Sequence, residues 1–186
     1  MENVCNIHVF IDAANLWQAQ KAKGWFLDYQ KIVDRIKLAY LATSIRVFYY
    51  TAYPADGTRP YDVAAKHKFF IYLKKGLKFV VRKKELKRIK VVDELGESVH
   101  EKGNMDVEMT IDVIHHVQHF DTAIFFTGDS DFLALISYLK NAGKKVFVYS
   151  SKNNISQELR TAADEYVDIL NLDEDVWGRP LIHRRV

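Results

Sequence analysis

Four aspartates stand where acidic side chains could do chemistry. The apolar run Ile7–Ile11 (IHVFI) ends directly in acid, as Phe10-Ile11-Asp12-Ala13-Ala14-Asn15. A later run, Thr122–Thr127, leads into Gly128-Asp129-Ser130-Asp131-Phe132. Asp106 lies within Lys102-Gly103-Asn104-Met105-Asp106-Val107, in the first turn of an expected helix. If the two apolar runs are neighbouring strands of a parallel sheet, ligands bind outside their carboxyl ends and the acids converge there. Carboxylates brought together repel unless a cation or shared protons neutralise them. Hard oxygen ligands suit Mg²⁺ or Mn²⁺, held by a few carboxylates with waters and substrate phosphates. Such ions activate water and stabilise both oxygens of an in-line displacement at phosphorus. The chemistry implied is metal-assisted hydrolysis of a phosphate ester. A plainer role stands beside it. Asp129, Ser130 and Asp131 could be helix caps, and Asp106 could complement a helix dipole. Asp12, which terminates a buried strand, is harder to explain that way, and the combination of all three segments is the stronger signal.

The elements that must position these acids alternate along the chain. Strands are expected at Ile7–Ile11, Ile45–Tyr53, Leu77–Arg82, Leu86–Val92, Thr122–Thr127, Lys145–Tyr149 and Tyr166–Leu170. Helices are expected at Asp28–Leu41, Tyr61–Lys75, Asn104–His119, Asp131–Asn141 and Ile155–Ala162, from apolar residues at helical spacing. In Asn104–His119 that spacing makes a stripe of Val107, Ile111, Ile114 and Val117. Alternation with continuously apolar strands implies an α/β fold whose mainly parallel sheet is covered on both faces. Leu77–Arg82 and Leu86–Val92 read as a β-hairpin insertion near 77–92, turning around Lys83–Glu85. The 186 residues carry no internal repeat and no Pro/Gly/Ser-rich linker, so one domain is expected over 1–170. Residues 171–186 lose periodicity and read as a C-terminal extension.

Composition excludes other classes. With 48% hydrophobic and 27% charged residues, the chain is neither disordered nor fibrous. No apolar run approaches the ~18 residues of a membrane span. The start, MENVCNIHVFIDAAN, lacks the basic and apolar regions of a signal peptide, and the single Cys5 cannot form an internal disulfide. A reducing, cytoplasmic setting is therefore expected. Cys5 reads as a small core residue. No GxGxxG or GxxxxGK[ST] run is present, so the usual dinucleotide and P-loop sites are absent. His115 and His119 have i,i+4 spacing but neither a HExxH glutamate nor a nearby cysteine, which argues against zinc.

The three acidic segments, in this order and spacing, resemble the NYN domain in its LabA-like branch of the PIN-like nucleases. The resemblance runs from about Ile7 to Leu170. It implies a three-layer Rossmann-like (PIN-like) domain and divalent-metal-dependent cleavage of RNA. It further implies that Asp12, Asp106, Asp129 and Asp131 are the catalytic and metal-site acids. Asn15 would orient a ligand or phosphate. Ser130 would hydrogen-bond within the site and cap the helix, and Lys102 would contact phosphate. Asp112 also falls within the family's helix pattern. An ideal helix turns it about 120° away from Asp106, so it is placed behind the site at most. Glu108 reads as solvated. A glycine common after the first aspartate is Ala13 here, a small residue that changes little. Some NYN proteins act as RNA-binding or regulatory proteins, so a weakly active or inactive RNA-binding protein is the alternative. A haloacid-dehalogenase-like phosphatase would need a second aspartate two residues after the first, where this chain has Ala14.

The stretch Lys74–Lys90 carries nine Lys/Arg against one acid, Glu85. Paired as strands, it would gather Lys78, Arg82, Lys83, Lys84, Lys87, Arg88 and Lys90 into one ribbon-like basic face. Beside an acidic metal cleft such a face suits a polyanion, single-stranded or structured RNA. Arg59, Tyr61, Lys66, His67, Lys68, Arg179, His183, Arg184 and Arg185 could add to it. The bland reading is a solvated edge that blocks aggregation. Tyr49, Tyr50, Tyr53 and Trp17 could stack on bases, although burial is the better expectation. An apolar patch on an outer helix could form a homodimer whose basic faces clamp one RNA.

Overall fold

The computed structural model describes residues 5–58, 64–93 and 96–181. Arg59, Tyr61, His183, Arg184 and Arg185 lie outside that range. The central sheet has six parallel strands: β1 (Asn6–Asp12), β3 (Ser44–Tyr53), β4 (Val80–Glu85), β7 (Thr122–Phe126), β8 (Lys145–Ser150) and β9 (Glu165–Asp168). Their order is β4-β3-β1-β7-β8-β9. From β1 the chain builds outward to one edge, then returns to β1's other side and builds to the opposite edge. The reversal falls between β1 and β7.

Alternation within the strands divides the core in two. Ile7, Val9 and Ile11 of β1 face one side, with Val47, Tyr49, Ile124 and Phe126. Helices α1 (Ala13–Lys23), α2 (Tyr29–Ala39) and α3 (Ala64–Ile71) cover that side through Leu16, Ile32, Ile36 and Phe70. Phe10, Phe48, Phe125 and Val148 face the other side, under α4 (Asp106–His116), α5 (Leu133–Asn141) and α6 (Gln157–Ala162). Phe10 stacks between its strand neighbours, 5.1 Å from Phe48 and 5.3 Å from Phe125. The three-layer α/β fold expected from the sequence is present. Among the described residues no helix is long and apolar enough to cross a membrane.

Several details differ from the sequence reading. The hairpin is not formed by 77–92. β4 leaves its neighbour and joins the central sheet parallel to β3, with Phe48 opposite Val80 and Tyr53 opposite Glu85. The hairpin pairs β5 (Lys87–Asp93) with β6 (Gly96–Lys102). Val81, apolar and buried, gains a neighbour in β3 by this exchange, whereas Lys87, Arg88 and Lys90 of β5 are exposed. The helix expected at 61–75 begins at Ala64 among the described residues and ends in a π turn, Tyr72–Gly76. The α4 stripe is turned outward: Val107, Ile111 and Ile114 are exposed, while Met109 and Val113 fill the core. Only Val117 of the expected stripe is buried.

Beyond Asn171 the chain packs as β10 (Trp177–Pro180), antiparallel to the short β2 (Trp25–Leu27). Val176 and Trp177 enter the core, and Leu181 N–H donates to Gly24 O at 2.8 Å. Tyr49, Tyr50 and Tyr53 are buried as expected, but Trp17 is exposed beside Phe26. Cys5 packs against the core as a free thiol.

Candidate active site

β1 and β7 lie side by side, and their carboxyl ends deliver Asp12 and the Gly128–Asp131 loop to one place. This is where the strand order reverses. Helices after β1 and β7 depart to opposite faces there and leave a crevice. Asp12 also caps α1: its Oδ1 accepts from Ala14 N–H at 2.9 Å and Asn15 N–H at 3.4 Å. Thr127 Oγ1 lies 3.5 Å from its Oδ2. Asp129 caps the 3-10 turn Ser130–Phe132 by accepting from Asp131 N–H at 3.0 Å. The capping expected of Ser130 therefore falls to Asp129, and the Ser130 side chain is exposed.

Asp106 comes to the same crevice from the start of α4. Carboxylate oxygens of Asp106, Asp129 and Asp131 lie within 4.8 Å of one another. Asp12 stands beside this group rather than within it, near enough that its charge acts on Asp106. Among the described residues no cation is ion-paired to any of the four. Burial, then the charges of Asp12, Asp129 and Asp131, push the Asp106 carboxyl up to about 6, while Lys84 pulls it down. The dipole of α4 favours an ionised carboxylate at its N-terminus by only about 0.3–1 kcal/mol, too little to reverse this. Asp12 is also raised, chiefly by burial, with Asp129 adding to the effect and the N–H groups of Ala14 and Asn15 opposing it. A dense, underneutralised set of hard oxygens is the donor chemistry that Mg²⁺ or Mn²⁺ requires.

Asn15 locks the crevice together. Its side-chain oxygen accepts from Gly128 N–H at 2.9 Å and from the Asn154 amide. Its backbone N–H donates to Asp12 Oδ1. The loop after β8 presses closely on β7: a Cβ at Gly128 would lie 2.3 Å from Asn154 O, so only glycine fits there. Between these loops is a cleft of about 410 Å³, walled in part by Gly128, Asp129, Ser130, Asn153 and Asn154. Sequence reading missed Asn153 and Asn154 because nothing in their spacing marks them. They reach the site through the pairing of β8 with β7.

Asp112 lies apart from the cluster, behind the helix. It is held by Arg82, whose Nε and Nη2 donate at 2.9 and 3.0 Å, and by Tyr50 OH at 3.0 Å. Burial acts to raise its carboxyl, but these hydrogen bonds and the Arg82 charge outweigh it and hold the carboxyl below its usual range. Glu108, expected to be solvated, is paired with Lys84 Nζ at 2.7 Å. These two pairs tie β4 to α4.

The basic residues do not make one face. Arg82 and Lys84 bind α4 carboxylates, while Lys83 lies over the rings of Tyr53 and Phe70 at 5.1 and 5.3 Å. Lys87, Arg88 and Lys90 are exposed on the hairpin, with Arg88 3.9 Å from Glu101. Lys78 is exposed just before β4. Lys102 is exposed at the end of β6, opposite Lys87, without an ion pair to the cluster among the described residues. α4 tightens into a 3-10 turn at Val117–His119, so the regular helical spacing expected of His115 and His119 does not continue to His119.

The NYN domain family model matches residues 6–171. The chain belongs to the NYN family. It is 31% identical over 163 residues to the "Low amplitude and bright protein LabA" of Synechococcus elongatus, covering 87% of this chain and 82% of LabA. An uncharacterized protein of Methanocaldococcus jannaschii is 38% identical over 69 residues, 36% of this NYN chain and 29% of its own. A crystal structure of a Vibrio parahaemolyticus protein of unknown function superposes with a TM-score of 0.67 at 26% identity, covering 96% of this chain and 99% of that one. The PIN-like assignment of the fold rests on this family and on the parallel sheet.

Proposed function

We propose that this NYN protein is a divalent-metal-dependent ribonuclease. The observation that carries the reading is the meeting of Asp106, Asp129 and Asp131 within 4.8 Å at the crevice where the strand order reverses. These three would hold Mg²⁺ or Mn²⁺, which when bound supplies charge neutralisation and an acidified water for attack on phosphorus. Asp12, fixed by two backbone N–H groups, keeps a raised carboxyl beside them and would accept a proton in the reaction. Asn15 holds Asp12 and the Gly128 loop in register. The exposed hairpin cations Lys87, Arg88 and Lys90, with Lys102, would carry the RNA backbone past the cluster.

The test is cleavage of labelled RNA by the purified protein in Mn²⁺, Mg²⁺ or EDTA, with Asp12→Asn and Asp129→Asn in parallel. Metal-dependent cleavage lost in both variants is the expected result. Full activity in both would remove the site. RNA retention at low salt with no cleavage in any metal would instead make the protein an RNA-binding module.

A further inference from the structure

The cleft beside the acidic cluster has a chemical character of its own. Among the described residues no lysine or arginine lines it, and Asp129 supplies its one charge. Its remaining polar groups are neutral amides and hydroxyls. Asn15 and Asn154 are committed to each other and to Gly128, and Ser156 Oγ accepts from Leu159 N–H. The Asn153 amide and the Ser130 hydroxyl are exposed and make no hydrogen bond within the described residues. Ile155 adds an apolar wall.

We propose that this cleft seats the nucleoside portion, ribose and base, of the nucleotide adjoining the cleaved phosphate, with Asn153 and Ser130 as its hydrogen-bonding partners. The proposal rests on the ribonuclease reading above. A phosphate is disfavoured in the cleft, because no cation meets it and the Asp129 carboxylate repels it. A nucleoside is favoured, because the ribose hydroxyls and base edges both donate and accept, as an amide and a hydroxyl do. The volume of about 410 Å³ sits at the small end of ligand pockets, which span roughly 300–1,000 Å³. It has room for one small polar unit. Asp129 belongs to both the cluster and the cleft wall, so a nucleoside here lies next to a phosphate at the cluster.

The test uses the full chain in EDTA, where binding is separated from cleavage. The four ribonucleoside 5′-monophosphates, their 2′-deoxy forms and inorganic phosphate are each titrated while side-chain amide resonances are followed by NMR. The expected result is nucleotide-dependent shifts at Asn153 and Asn154 that inorganic phosphate does not produce. Asn153→Ala and Ser130→Ala should each weaken nucleotide binding about three- to tenfold, the loss of one hydrogen bond. Mn²⁺ binding should be unchanged in Asn153→Ala. Weaker binding of the deoxy forms would assign the contact to the ribose, and equal binding would assign it to the base. Equal shifts with inorganic phosphate, or none at the cleft, would overturn the proposal. If RNA is cleaved but both variants bind nucleotides as the wild type does, the cleft assignment fails and the nuclease reading stands. If nucleotides bind the cleft but no metal supports cleavage, the nucleoside seat stands and the nuclease reading falls.

Discussion

Asp106 and Asp112 lie on one helix, six residues apart, and their carboxyls are driven in opposite directions. Both lose solvent as α4 packs on the sheet. At Asp112 the loss is answered by Arg82 and Tyr50, and the carboxylate is held ionised. At Asp106 it is compounded by three more acids, and the carboxyl rises to about 6. Burial alone therefore does not decide the character of an acid here. The neighbours brought by the sheet do. β4 brings a cation to Asp112, while the ends of β1 and β7 bring anions to Asp106. One acid ties the helix to β4, and the other stands among acids without an ion pair among the described residues.

The sharpest break in the comparison is in activity. Asp106→Asn should lower metal-dependent RNA cleavage at least about 10²-fold, since losing even an outer partner of a metal ligand commonly costs 10–100-fold. Asp112→Asn should keep most of the activity of its folded fraction. Comparable losses in both, measured at a temperature where both are folded, would dissolve the distinction.

Stability should show the reverse order. Asp112→Asn removes a bidentate pair and leaves Arg82 without its anion. Because Arg82 is half-exposed and can rehydrate, the loss should be about 1–3 kcal/mol, read as a lower urea midpoint at pH 7. The Asp112 carboxyl is depressed in the folded state. Its contribution is thus present above the unfolded-state value and disappears as pH falls through the folded one.

For Asp106 the sign inverts. Its carboxyl is raised when folded, so between about pH 4 and pH 6 the folded chain holds a proton that the unfolded chain releases. Stability should fall as pH rises through that window. In EDTA at pH 7, Asp106→Asn should gain about 1 kcal/mol, a figure discounted for partial solvent exposure, and the gain should vanish near pH 4. Saturating Mn²⁺ should reverse the ranking, because the wild type alone keeps all its ligands. Differential scanning calorimetry at the two pH values, with and without the ion, checks each part.

The sequence carried much of this arrangement. The termination of an apolar strand by Asp12, and the Gly128–Asp131 segment after another, required only that the two strands be adjacent, and β1 and β7 are. Legibility failed where position depends on pairing between distant segments. Val80 and Val81 read equally well as hairpin or sheet edge, and only the vacancy beside β3 selects the sheet. The cations of β4 then cease to be a free basic face, because α4 meets Arg82 with Asp112 and Lys84 with Glu108, and Lys83 lies over Tyr53 and Phe70. On α4 itself, Val107, Ile111 and Ile114 form as good a periodic stripe as Met105, Met109 and Val113. The face that is buried is the one that also brings Asp112 to Arg82 of β4 and Tyr50 of β3, so the choice depends on partners supplied by distant strands.

Lys84 gives the smallest and most selective test of that coupling. It joins Glu108 at 2.7 Å with both side chains more than a third exposed, so the pair itself is worth only about 0.2–1 kcal/mol. Lys84→Met should therefore barely move the urea midpoint. Its charge nevertheless reaches Asp106 and opposes the rise of that carboxyl. Without it Asp106 should hold its proton to higher pH, and protons should compete with Mn²⁺ more strongly. The pH at which Mn²⁺ binding is half-maximal should move upward in Lys84→Met and stay in place in Lys83→Met, whose cation lies over Tyr53 and Phe70. An equal shift in both variants would mean that the protein's general charge, rather than the pairing of β4 with α4, sets the behaviour of the acidic cluster.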